Sequence, residues 1–136
     1  MGDRGGIAMR IGFLVASALM RSDFSVYFSK VPSALECPEP ILVVEGAFER
    51  ESRIEGEERG TVPVTVYVVR EVSADAEAVA IACEQWLRGC SWEPDSEAWP
   101  WRIAGIDTSA PFLKERDSSG RFVWQFEVTV TAVRSI

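Results

Sequence analysis

"TVPVTVYVVREVSADAEAVAIACEQWLRG", residues 61 to 89, changes its hydrophobic period halfway along. Val62, Val64, Val66 and Val68 alternate with Thr65 and Tyr67, which is the two-residue period of a strand with one face buried. From Ser73 onward the apolar positions Ala76, Val79, Ala80, Cys83 and Leu87 recur at three and four, the stripe of an amphipathic helix. Ser73 stands where a cap belongs, and Asp75 and Glu77 follow where the positive end of the helix favours acids. Arg88 lies in the last turn and Gly89 closes the run. Pro63 argues against full ladder bonding at the start of the strand.

The flanking sequence extends this strand and helix into a mixed fold. Downstream, "ERDSSGRFVWQFEVTVTAVR" sets a turn at Asp117, Ser118, Ser119 and Gly120, with Gly120 supplying the positive φ. The last strand then places Phe122, Trp124, Phe126, Val128, Val130 and Ala132 on one face, with Arg121, Gln125, Glu127, Thr129 and Thr131 opposite. "WRIAGIDTS" is a further strand, distorted at Gly105 or Pro111. Upstream, residues 7 to 20 read as a helix on Ile11, Leu14, Val15, Ala18 and Leu19, whose hardly polar other face calls for a cover. "FSVYFS" is a short strand, the stretch with Pro32, Pro38 and Pro40 a loop, and "ILVVEGAFER" a strand in which Gly46 marks a bulge or close backbone approach. The sum is an α+β fold: a mostly antiparallel β-sheet with an N-terminal helix and one central amphipathic helix packed on one face.

At 136 residues and 47% hydrophobic composition the chain makes a single domain over 1–136, with residues 1–8 read as a flexible extension or Met9 as the true start. Twenty-one acidic residues against 14 basic ones give a formal charge of -7, which repels a phosphate backbone and argues against specific nucleic-acid binding. The odd count of three cysteines, with no CxxC spacing, fits a reduced intracellular chain. "IGFLVASALM" can pass for the apolar part of a signal peptide but is too short to span a bilayer, and Asp3 spoils the basic region before it. No association with a membrane is expected.

No catalytic, cofactor or metal site emerges. Histidine, the usual general base and commonest zinc ligand, is absent. Cys83 lies on an apolar stripe with no base to activate it. Asp107 and Asp117 fit turn and strand-end roles. Glu55, Glu57 and Glu58 lack the ligand spacing of a calcium loop and read as a solvated loop. That loop, "ESRIEGEERG", is an extended hairpin tip carrying Glu51, Arg53, Glu55, Glu57, Glu58 and Arg59, either an arm onto a neighbour or a mobile segment whose removal loses only Ile54 from the core. Trp124 and Trp101 read as core, while Trp92 and Trp99, in a loop after the helix, are candidate interface anchors.

The order helix, short strand, proline-containing approach to "PILVVEG", charged hairpin tip, "VPVTVYVVREVSADAEAVAIACEQWL" and terminal hairpin resembles the tail terminator, or tail completion, proteins of long-tailed phages, from about Arg10 to Arg134. The resemblance implies a structural, non-enzymatic subunit of the virion that forms a six-membered ring, caps the tail tube and joins it to the head. It implies as partners further copies of the chain, the tail tube protein and a head-completion protein, with DNA passing through the ring, and as location the virion and, during assembly, the host cytoplasm. The other reading is a small-ligand-binding α+β module with a tryptophan-lined pocket between the central helix and the sheet.

Overall fold

The structure, a computed structural model, describes residues 2–22, 24, 26–28, 40–54, 56–92 and 100–135. In chain order the elements are α1 (Gly2–Met20), β1 (Val26–Phe28), β2 (Ile41–Glu45), β3 (Glu49–Ile54), β4 (Glu57–Arg70), α2 (Ser73–Gly89), β5 (Trp101–Thr108), β6 (Phe112–Arg116) and β7 (Phe122–Ser135). The seven strands form one sheet, antiparallel except where β1 runs parallel to β2. Both helices pack on β4, so they share one face, and the fold is α+β with a mostly antiparallel sheet.

Two 14-residue strands, β4 and β7, form the spine, paired without interruption from Glu57 opposite Ser135 to Arg70 opposite Phe122. Each outer flank of this ladder is shared by two shorter strands. β2 lies along residues 64–68 of β4 and β3 along residues 57–61, while β6 lies along residues 122–125 of β7 and β5 along residues 128–134. The terminal strand is long because it spans both halves of the sheet. Pro63 falls where β2 has ended and β3 has not begun, so its missing N–H leaves no ladder bond broken. Its carbonyl accepts a hydrogen bond from the Gly46 N–H at 2.6 Å, and a Cβ on Gly46 would lie 2.8 Å from the proline ring, which is why glycine stands there.

The core lies between the helices and the even-numbered face of the spine. Val62, Val64, Val66, Val68, Phe126, Val128, Val130 and Ala132 are all fully buried there. α2 contributes Ala76, Ala80, Cys83 and Leu87, and α1 contributes Ile11, Val15, Ala18 and Leu19. Glu84 is also buried, accepting a hydrogen bond from the Thr108 hydroxyl at 2.6 Å and pairing with Arg88, which ties α2 to β5. α1 starts at Gly2, earlier than its periodicity suggests, and already buries Ile7 and Ala8.

Two local expectations need correction. Ser73 does not cap α2: Val72 holds the cap position with no side-chain bond, and the Ser73 hydroxyl instead accepts the Trp124 indole N–H at 3.0 Å. A half-buried indole N–H needs a partner, and the first turn of α2 offers the nearest one. The outward face of α1, expected to be covered, leaves large apolar side chains exposed among the described residues: Met9, Phe13 and Met20.

Candidate protein interface

The charged segment 51–60 is strand for most of its length. β3 and β4 pair from Glu49 opposite Thr61 to Ile54 opposite Glu57, and the turn needs a left-handed residue, supplied by Gly56 at φ 82°. The tip is therefore the end of a four-stranded half-sheet, β3, β4, β7 and β5, on which β3 makes no substantial contact with either helix.

Glu58 holds this half-sheet together, contrary to its reading as part of a solvated loop. Its side chain is 3% exposed, and its two oxygens accept separate bonds at 2.7 Å, Oε2 from Arg50 Nε on β3 and Oε1 from Arg134 Nε on β7. Burial pushes the carboxyl upward, but the hydrogen bonds and charges of the two guanidinium groups outweigh that and hold its pKa below the usual 4.5. The Arg134 guanidinium lies 4.8 Å over the Trp101 ring, and Trp101 meets Phe48 edge to face with centroids 5.2 Å apart. Phe48 in turn lies over Gly60, where a Cβ would come within 2.2 Å of the phenyl ring. Carboxylate, arginines, two aromatics and a glycine thus form one packed layer at the root of the arm.

The other expected interface residues divide. Glu51 is exposed at the bulge in β3, where the register shifts between Arg50 and Ser52. Glu57 is half-buried and lies 3.6 Å from Arg102 of β5, and Arg59 is half-buried in β4. Arg53 stands opposite Glu58 in the ladder. Trp92 is half-buried and packs on the core, so it is only partly available as an anchor. Glu55 and Trp99 lie outside the described residues. Sequence reading passed over Arg50, Arg134 and Trp101 as parts of this site. The parity of the strands carries the signal for one of them: Arg134 stands on the core-facing alternation of β7, directly opposite Glu58 on that of β4.

Elsewhere the chemistry is quiet. The Cys83 thiol is buried and pushed up to about 12 by loss of solvent, as suits a core cysteine. Asp117 accepts backbone bonds from Ser119 and Arg121 and pairs with the Arg121 guanidinium at 2.7 Å, fixing the turn before β7. Trp86 donates its indole N–H to the Ala18 carbonyl at 2.7 Å and locks α2 to α1. Among the described residues no three His, Cys, Asp or Glu side chains gather as a ligand set, and no helix is long and apolar enough to cross a membrane. A hollow of about 330 Å³ opens on the helix-free face beside Leu42, Tyr67 and Val123, and no tryptophan among the described residues lines it. No known protein family matches the chain, and no curated protein matches it.

Proposed function

We propose that the chain is a structural assembly subunit similar to the tail terminators of long-tailed phages, non-catalytic, which joins further copies of itself in a ring on the end of a tail tube. The observation that carries this reading is the braced half-sheet: a charged hairpin extends the spine, and its root is stiffened by the Arg50, Glu58 and Arg134 clamp. A stiff charged arm suits docking, since little conformational entropy remains to be lost when it binds. The exposed apolar side chains of Met9 and Met20 on α1 support the same reading, because such side chains along one helix mark surfaces that partners cover. The acidic balance suits a ring through which DNA passes without being held. A ligand-binding module draws less support, because the space between α2 and the sheet is filled by Ala80, Cys83, Leu87 and Phe126, each fully buried.

The test is co-expression of the chain with the tail tube protein encoded beside its gene, followed by negative-stain microscopy. Tubes that stop at a defined end bearing an extra ring of density are the expected result. Tubes of unchanged length with bare ends, or a gene neighbourhood without tail tube, tape measure or portal genes, would sink the reading.

A further inference from the structure

We infer that Arg50 and Arg134 form a carboxylate-binding site whose ligand is the acidic start of α2 on a second copy of this chain. The inference rests on the self-association proposed above and names its surfaces. Both arginines reach Glu58 through Nε. Their terminal amino groups have no other hydrogen-bond acceptor among the described residues, and the two side chains remain 40% and 26% exposed. One carboxylate between two guanidinium groups leaves a local charge of +1. The donors are also fixed in place, Arg134 by the Trp101 ring and both by the buried Glu58. Fixed planar forks with spare N–H groups match a carboxylate closely.

The complementary surface stands at the other end of the spine. Glu71, Asp75 and Glu77 are exposed, lie within one stretch at the start of α2, and have no basic partner among the described residues. Fourteen strand residues separate the two ends, roughly 46 Å at 3.3 Å per residue, so the two surfaces cannot meet within one copy. Between copies they can meet head to tail, a contact that closes into a ring or runs on as a filament, whereas a reciprocal two-fold pairing would stop at a dimer.

Strand addition is the poorer alternative. Of the outer strands, β1 is only three residues long, and β3, β5 and β6 each carry a register shift, between Arg50 and Ser52, Ile103 and Gly105, and Leu113 and Glu115; short strands and bulges both blunt a sheet edge. A nucleic-acid backbone is poorer still. The chain's formal charge of -7 repels a duplex, which carries a charge about every 1.7 Å of its axis.

The experiment is sedimentation velocity on the full chain across a concentration and salt series. It uses an arm variant, Arg50→Gln, and a helix variant combining Glu71→Gln, Asp75→Asn and Glu77→Gln. The parent should associate reversibly and more weakly as salt rises. Each variant alone should associate about tenfold more weakly, the loss expected for one charge-assisted contact. An equimolar mixture keeps one intact surface of each kind and should give a heterodimer and nothing larger. The helix variant alters only exposed side chains, so it keeps the test decisive if Arg50→Gln unfolds the arm. A monomeric parent, variants that associate like the parent, a mixture without heterodimer, or co-sedimentation with added duplex DNA would each overturn the inference. A monomeric parent that still caps tail tubes removes this contact and leaves the tail reading standing. A heterodimer from a chain that ignores tail tubes does the reverse.

Discussion

Glu58 and Arg134 lie 76 residues apart in sequence and on adjacent central strands, yet Arg134 Nε stands 2.7 Å from Glu58 Oε1. With Arg50 on the other oxygen, this carboxylate joins β3, β4 and β7. Removing one partner of a fully buried ion pair costs about 3–5 kcal/mol, because the other is left uncompensated. Here both arginines are partly hydrated, which discounts the loss. Glu58→Ala should therefore lower unfolding stability by about 2 kcal/mol in urea titration, against under about 0.5 kcal/mol for exposed Glu51→Ala. Equal effects of the two substitutions would show that the clamp contributes nothing.

Acid should weaken the protein through two carboxyl groups. Glu58 and Asp117 both have folded pKa values below their ordinary 4.5 and 3.8, because bonds from Arg134, Arg50 and Arg121 outweigh the upward push of burial. A depressed folded pKa gives stability that is present above the ordinary value and lost as pH falls through the folded one. Urea midpoints should accordingly fall as pH drops below about 4.5, and more shallowly in a Glu58→Gln, Asp117→Asn double variant. Parallel acid slopes for parent and variant would refute the assignment.

Gly60 should tolerate no side chain while Phe48 is present. A Cβ there meets the phenyl ring at 2.2 Å and the Glu49 carbonyl at 2.7 Å, so Gly60→Ala forces the ring off Trp101. Overpacking of this kind costs roughly 1–3 kcal/mol. In a double-mutant cycle, Phe48→Leu should recover part of that cost, and the two changes should couple by at least about 0.5 kcal/mol. Additive losses would mean that the ring does not press on Gly60.

The elements were legible in the sequence wherever one residue's burial sets a period. The alternation of β4 and β7, the stripe on α2, the turn at Gly120 and the close approach at Gly46 all answer to local sequence alone. What escaped depends on pairings made at a distance. Ser73 looks like a cap until Trp124, 51 residues away, claims its hydroxyl. Glu58 looks like a loop acid until Arg134 is laid opposite it, after which its place on the core-facing parity of β4 becomes intelligible. The candidate site was thus visible as a charged segment, whereas its division into a buried clamp and an exposed tip was not.

That division reverses one expectation and gives the last test. If the segment 51–60 were only a tip, cutting it to a tight turn would lose little beyond Ile54. In the structure the cut also removes Glu58, the ladder of Glu57 to Gly60 against Ala132 to Ser135, and the surface on which Phe48 rests. Phe48 and Trp101, 8% and 5% exposed, would be opened to water together with two unpaired arginines. The sum is at least about 3 kcal/mol, which for a chain of this size lowers the melting midpoint by about 10 °C or more. Neutralising the tip with Glu51→Gln, which leaves every strand pair in place, should shift melting by under about 2 °C. Circular dichroism melts of the two variants decide the matter: a shortened chain that melts with the parent would mean that the half-sheet is not part of the folded core.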